Sequence, residues 1–130
     1  MMDFSYVKPN ELRHCWWWVR MGLEKVRAKG HSEWLAEDIY CDCYEQRSML
    51  WILPEKKGFI VLQPNGVEMH IWAAWLDSSN PDDLSFGLEF AKSIAKQGNC
   101  KKVTFSSMRS GWETRAKQLG FRPRNWELSI

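Results

Sequence analysis

The chain has 130 residues, 45% of them hydrophobic and 26% charged. That is enough for one hydrophobic core and excludes a disordered or collagen-like chain. Net charge is +2, too small to imply a polyanion partner by itself, and no run nears the ~20 apolar residues of a membrane helix.

Phe4 to Lys8 alternates apolar and polar and predicts a first strand, stopped by Pro9. Asn10 is a good cap for a helix from Glu11 to Ala28, with a buried stripe of Leu12, Cys15, Trp16, Val19, Leu23 and Val26. Nine tryptophans is an unusual number, and Trp16-Trp17-Trp18 are consecutive. Three neighbours fan around a helix, so at least one indole must leave the core; an exposed indole suits a protein contact. Ser32 predicts a second helix from Glu33 to Gln46 that buries Leu35, Ile39 and Cys43. Glu33, Glu37, Asp38 and Asp42 would then form a solvated face.

Three strands follow. Ser48 to Leu53 is apolar and is turned by Pro54 to Gly58. Phe59 to Gln63 returns, and Pro64-Asn65-Gly66 is a hairpin signal. Val67 to Trp75 alternates, which predicts Val67, Met69, Ile71, Ala73 and Trp75 on one face and Glu68, His70, Trp72 and Ala74 on the other. Because both faces carry apolar residues, this strand should be central and covered on both sides. A polar loop, Asp77 to Asp83, leads into a third helix capped by Asn80, with Pro81 in its first turn. Its buried stripe is Leu84, Leu88, Ala91, Ile94 and Ala95, and Gly98 closes it. Lys101 to Ser106 predicts a strand, Gly111 to Leu119 a short helix ended by Gly120, and Phe121 to Ile130 extended structure.

Cys15, Cys41, Cys43 and Cys100 read as reduced thiols, most of them filling core. Cys41-Asp42-Cys43, with His14 and His31 scattered elsewhere, lacks tetrahedral zinc spacing, so no metal is expected. The first six residues lack the basic start and apolar stretch of a secretory signal, so the expected form is a single cytoplasmic domain over residues 1–130.

The order β-α-α-β-β-β-α-β-α-β predicts an α+β fold, a mostly antiparallel twisted sheet with helices on both faces. This order, with Trp112 to Phe121 and its Leu119-Gly120-Phe121 exit, resembles the acetyl-CoA-dependent N-acetyltransferase superfamily, the GNAT fold. Gly58 to Leu62, Met69 to Trp72 and Arg109 to Trp112 resemble short acetyltransferase-like proteins of tailed phages. The resemblance implies acetyl-CoA as cofactor, with Glu68 or His70 as catalytic base. It implies a cofactor-binding set of Trp72, Ala73 and Trp75 on the strand and Ser107, Arg109 and Gly111 before the last helix.

In such proteins the coenzyme pyrophosphate lies on amides at the start of the third helix, beneath a glycine-rich loop. The matching segment here, Asp77 to Asp83, has no glycine and three carboxylates, which repel a pyrophosphate. The position of the usual acid, a tyrosine, is Ala116. The expected function is therefore a phage-type GNAT protein with a degenerate acyl-CoA site, acting through contacts with a phage or host protein or as a weak acyltransferase; a homodimer is compatible with this. An active N-acetyltransferase with a divergent loop is the alternative. A nucleic-acid binder is a third reading, because residues 101–130 hold seven Lys or Arg against two acids, a local +5.

Overall fold

The computed structural model describes residues 3–30, 34–77, 81–105, 117–118 and 120–121. Its elements are β1 (Ser5–Val7), α1 (Leu12–Gly30), α2 (Ala36–Tyr44), β2 (Met49–Ile52), β3 (Gly58–Asn65), β4 (Glu68–Leu76), α3 (Pro81–Gln97) and β5 (Lys102–Phe105). They make an α+β fold on one five-stranded sheet in the order β1-β2-β3-β4-β5, antiparallel throughout except for the parallel pair β4–β5. The crossover α3 explains the exception, since parallel neighbours need a long connection.

Helix starts differ from expectation for a local reason. Pro9–Glu11 form a 3-10 turn, and the Glu11 carboxylate accepts the Lys8 N–H at 3.1 Å, so Asn10 lies inside the turn rather than capping α1. Asp38 likewise accepts the Leu35 N–H at 2.8 Å and starts α2 at Ala36. That makes Leu35 a cap, 50% exposed, and Ala36 takes the buried place expected of it. Residues 31–33, with the expected cap Ser32, lie outside the described residues.

α1 and α2 cover one face of the sheet. Leu12, Cys15, Val19 and Leu23 of α1 and Ile39 and Cys43 of α2 pack on Leu50, Phe59, Val61 and Ala73. Trp16 and Trp18 are half-buried against this core, so Trp17, 58% exposed, is the indole that leaves it. α1 lies close to the sheet at Gly22, where a Cβ would fall 2.5 Å from the Phe59 ring. Burial chiefly, with the Asp42 carboxylate and Cys15 adding, pushes the Cys43 thiol up to about 12. Such a thiol is an inert core filler.

α3 covers the other face, with Ala91 and Ala95 set against Ile60, Leu62 and Met69. Between β3 and β4 a two-residue turn uses Gly66 at φ +63°, a left-handed conformation that glycine adopts without steric cost.

β4 carries the decisive irregularity. Pairing with β3 runs from Gly58↔Leu76 to Asn65↔Glu68, but the register slips between Val61↔Ala73 and Leu62↔Ile71, leaving Trp72 as an extra residue. One inserted residue inverts side-chain alternation and bends the strand. Met69 and Ile71 therefore pack on the α3 side, whereas Ala73 and Trp75 pack on the α1 side. The expectation that Val67, Met69, Ile71, Ala73 and Trp75 share a face is corrected by this bulge, and Val67 itself lies in the exposed turn before β4.

Candidate functional site

The inversion gathers the sequence-predicted residues of β4. Glu68 and His70 precede the bulge and alternate with Met69, so they face the α1–α2 side. Trp72, Ala73 and Trp75 join the same side after it. Without the extra residue, Ala73 and Trp75 would stand on the opposite face from Glu68 and His70.

His70 is half-buried and is the cross-strand partner of Gln63 on β3 and of Thr104 on β5. Its Nδ1 lies 2.9 Å from the Thr104 hydroxyl, a contact that sets the plane of the ring. Glu68, also half-buried, is in register with Lys102. Ala73 is buried in the core, so only its backbone can meet a ligand. The Trp75 ring sits 6.1 Å from that of Phe59, and the Lys25 ammonium lies 5.6 Å above it. Trp75 is thus a wall of the site, braced by α1.

Behind His70 runs a polar row that the sequence did not announce. Gln63 Nε2 donates to Asp42 at 3.3 Å, the Ser48 hydroxyl donates to the same carboxylate, and Arg47 Nε donates to it at 2.8 Å. Burial alone would raise the Asp42 carboxyl; the hydrogen bonds from Ser48, Arg47 and Gln63 outweigh it and hold the group below its ordinary value. Asp42 is accordingly not part of a solvated face. It ties the end of α2 to β2 and β3. Its signal in the sequence was weak: an acid six residues before a serine that opens an apolar strand.

The comparisons agree with this architecture. No family model matches the chain, and no curated protein matches it in sequence. Among solved structures it is similar to a predicted acetyltransferase with acetyl-CoA from Clostridium acetobutylicum, at TM-score 0.71 and 12% identity over 100% of this chain and 96% of that one. It is similar to a ribosomal-protein-alanine N-acetyltransferase from Brucella melitensis, at TM-score 0.67 and 9% identity over 100% and 98%. It is also similar to AAC(6')-Iy in complex with a CoA bisubstrate analogue, at TM-score 0.67 and 10% identity over 100% and 97%. The chain has the GNAT acetyltransferase fold.

Within the GNAT fold, the segment expected to receive a pyrophosphate is 77–83. The Asp77 N–H already donates to the Lys57 carbonyl at 2.7 Å. Pro81, the first residue of α3, has no N–H to offer. Residues 78–80, including Asn80, lie outside the described residues, as do Ser107, Arg109, Gly111 and Ala116. Among the described residues, no group of three His, Cys, Asp or Glu could hold a metal ion, and no helix is long and apolar enough to cross a membrane.

Proposed function

We propose that the chain is a weak N-acyltransferase that takes its acyl group from an acyl-CoA thioester held along β4. The observation that carries this reading is the bulge at Trp72, which sets two proton acceptors, Glu68 and His70, on the same side as Trp72 and Trp75. The described ladder between β4 and β5 runs only to Ile71↔Phe105, just before the bend. An extended chain of amides, such as the pantetheine arm, suits a strand edge of that kind. The diphosphate end fits less well, because the Asp77 amide is occupied and Pro81 has none. Hence the affinity is low.

When bound, the thioester supplies an activated acyl carbon. Glu68 or His70 takes the proton from the attacking acceptor amine, and the Thr104 hydroxyl keeps the imidazole plane fixed while it does so. The position of the usual acid is alanine, so the departing thiolate draws its proton from water, which keeps turnover slow. Titration calorimetry with acetyl-CoA and with free CoA tests the reading. Weak saturable binding of both is expected, along with amine acetylation that falls about 100-fold in Glu68→Gln or His70→Gln. No heat and no thermal shift at millimolar acetyl-CoA would overturn it.

A second reading rests on a separate observation. Trp17 and Met21, 58% and 59% exposed, stand one turn apart on α1. Such a pair suits a protein partner, and this reading would stand if the coenzyme fails to bind.

A further inference from the structure

On the α3 side of the sheet, opposite Glu68 and His70, a pocket of about 310 Å³ opens between the last turns of α3, the start of β5 and Phe121. Lys92, Lys96 and Lys101 line it, and no carboxylate does among the described residues; Lys102, at its edge, is in register with Glu68 and turns its side chain to the other face. Leu88, Ala95, Val103 and Phe121 supply an apolar floor. Lys92 shares its charge with Glu89 at 3.1 Å. Lys96 and Lys101 have no ion-pair partner among the described residues. Capping explains only part of this arrangement. Lys96 lies in the last turn of α3 and complements the helix dipole, but Lys101 lies beyond the helix. The helix end is itself closed, since the Ala95 carbonyl accepts the Cys100 N–H at 2.8 Å.

Three lysines around one small opening repel one another, and their summed field draws an anion into it. The volume is at the lower end of small-molecule sites, which pair an apolar floor with a few polar groups. We propose that this pocket binds a small phosphorylated ligand with a planar apolar part, of mononucleotide size. The phosphate would meet the lysines and the ring would lie against Phe121. The pocket is on the other face of the sheet from the acylation residues, so it stands whether or not acyl-CoA binds.

The test uses the full chain at low ionic strength, with AMP and inorganic phosphate as probes, followed by calorimetry and by amide shifts in NMR spectra. AMP should bind, and more tightly than phosphate. The paired charge reversal Lys96→Glu with Lys101→Glu should weaken AMP by at least about tenfold, since each charge-assisted contact is worth roughly that factor. Phe121→Ala should weaken AMP while leaving phosphate unchanged. Both lysines are exposed, and an unchanged melting temperature shows that the reversed variant is folded. The lighter single change Lys101→Gln, with a loss of a few fold, serves if it is not. AMP binding that ignores the charge reversal, or amide shifts confined to β4 residues 72–76, would overturn the proposal. So would a single-stranded oligonucleotide binding more than tenfold tighter than AMP, because the site would then belong to a nucleic-acid surface.

Discussion

The two faces of the sheet are closed by different means. On the α1–α2 side, Leu12, Val19, Leu23, Ile39, Phe59 and Val61 are fully buried, and half-buried tryptophans ring them. On the α3 side the helix contributes small residues, Ala91 and Ala95. There the aromatic packing of Phe4, Trp51 and Phe90 gathers towards β1 and β2, and the β5 end opens into the lysine-lined pocket. The tightly closed face carries the polar row and the candidate proton acceptors, which need fixed positions. The looser face keeps room for a ligand.

Truncating one leucine on each face sharpens this contrast. Leu23→Ala, at a site with no exposure, should cost about 3 to 4 kcal/mol, because the cavity it leaves is enclosed. Leu88→Ala, at 8% exposure on the wall of the pocket, should cost about 1 to 2 kcal/mol, because the space it vacates joins an opening that water already reaches. Chemical denaturation of both variants checks the difference. Equal losses would mean that the α3 face is as tightly packed as the other.

Asp42 tests the polar row. Asp42→Ala should cost about 2 kcal/mol, since charge-assisted hydrogen bonds from Ser48, Arg47 and Gln63 are lost and the buried Ser48 is left without its acceptor. The pH dependence follows in sign. Because the folded carboxyl titrates below its unfolded value, near 3.9, its stabilisation is fully present above that value and disappears as pH falls through the lower, folded one. Acid unfolding of the wild type should therefore steepen below about pH 4, and the alanine variant should lose that part of the slope. An unaltered acid limb in the variant would remove Asp42 from the polar row.

Much of this architecture was legible in the residues. The stripe of α1, the hairpin at Gly66 and the start of α3 at Pro81 follow from periodicity and turn chemistry, and they recur in the structure. The bulge was not legible. Met69, Ile71, Ala73 and Trp75 alternate without a break, and only pairing with β3, a non-local event, shows that Trp72 is the residue without a partner. Helix caps moved for a similar reason. Glu11 and Asp38 reach back to amides at Lys8 and Leu35, whereas residue type alone favours Asn10 and Ser32 as caps. Glu68 and His70 could be named from the resemblance, whereas Thr104 could not. Its relation to His70 exists only through the parallel pairing of β4 with β5.

The smallest expected effect lies in the connection between β2 and β3, where Glu55 and Lys56 both have left-handed backbone, at φ 61° and 58°. Each such residue carries about 1 kcal/mol of strain that glycine would avoid. The two positions differ in what they give back. The Lys56 ammonium sits 4.5 Å above the exposed Trp17 ring, an attraction worth about 0.5 kcal/mol at such a site, whereas no contact of the Glu55 side chain offsets its strain among the described residues. Glycine also enlarges the freedom of the unfolded chain, which removes part of either gain. Glu55→Gly should therefore raise stability by about 0.5 kcal/mol and Lys56→Gly should leave it nearly unchanged. If Lys56→Gly proves the more stabilising of the two, the ammonium does not hold Trp17.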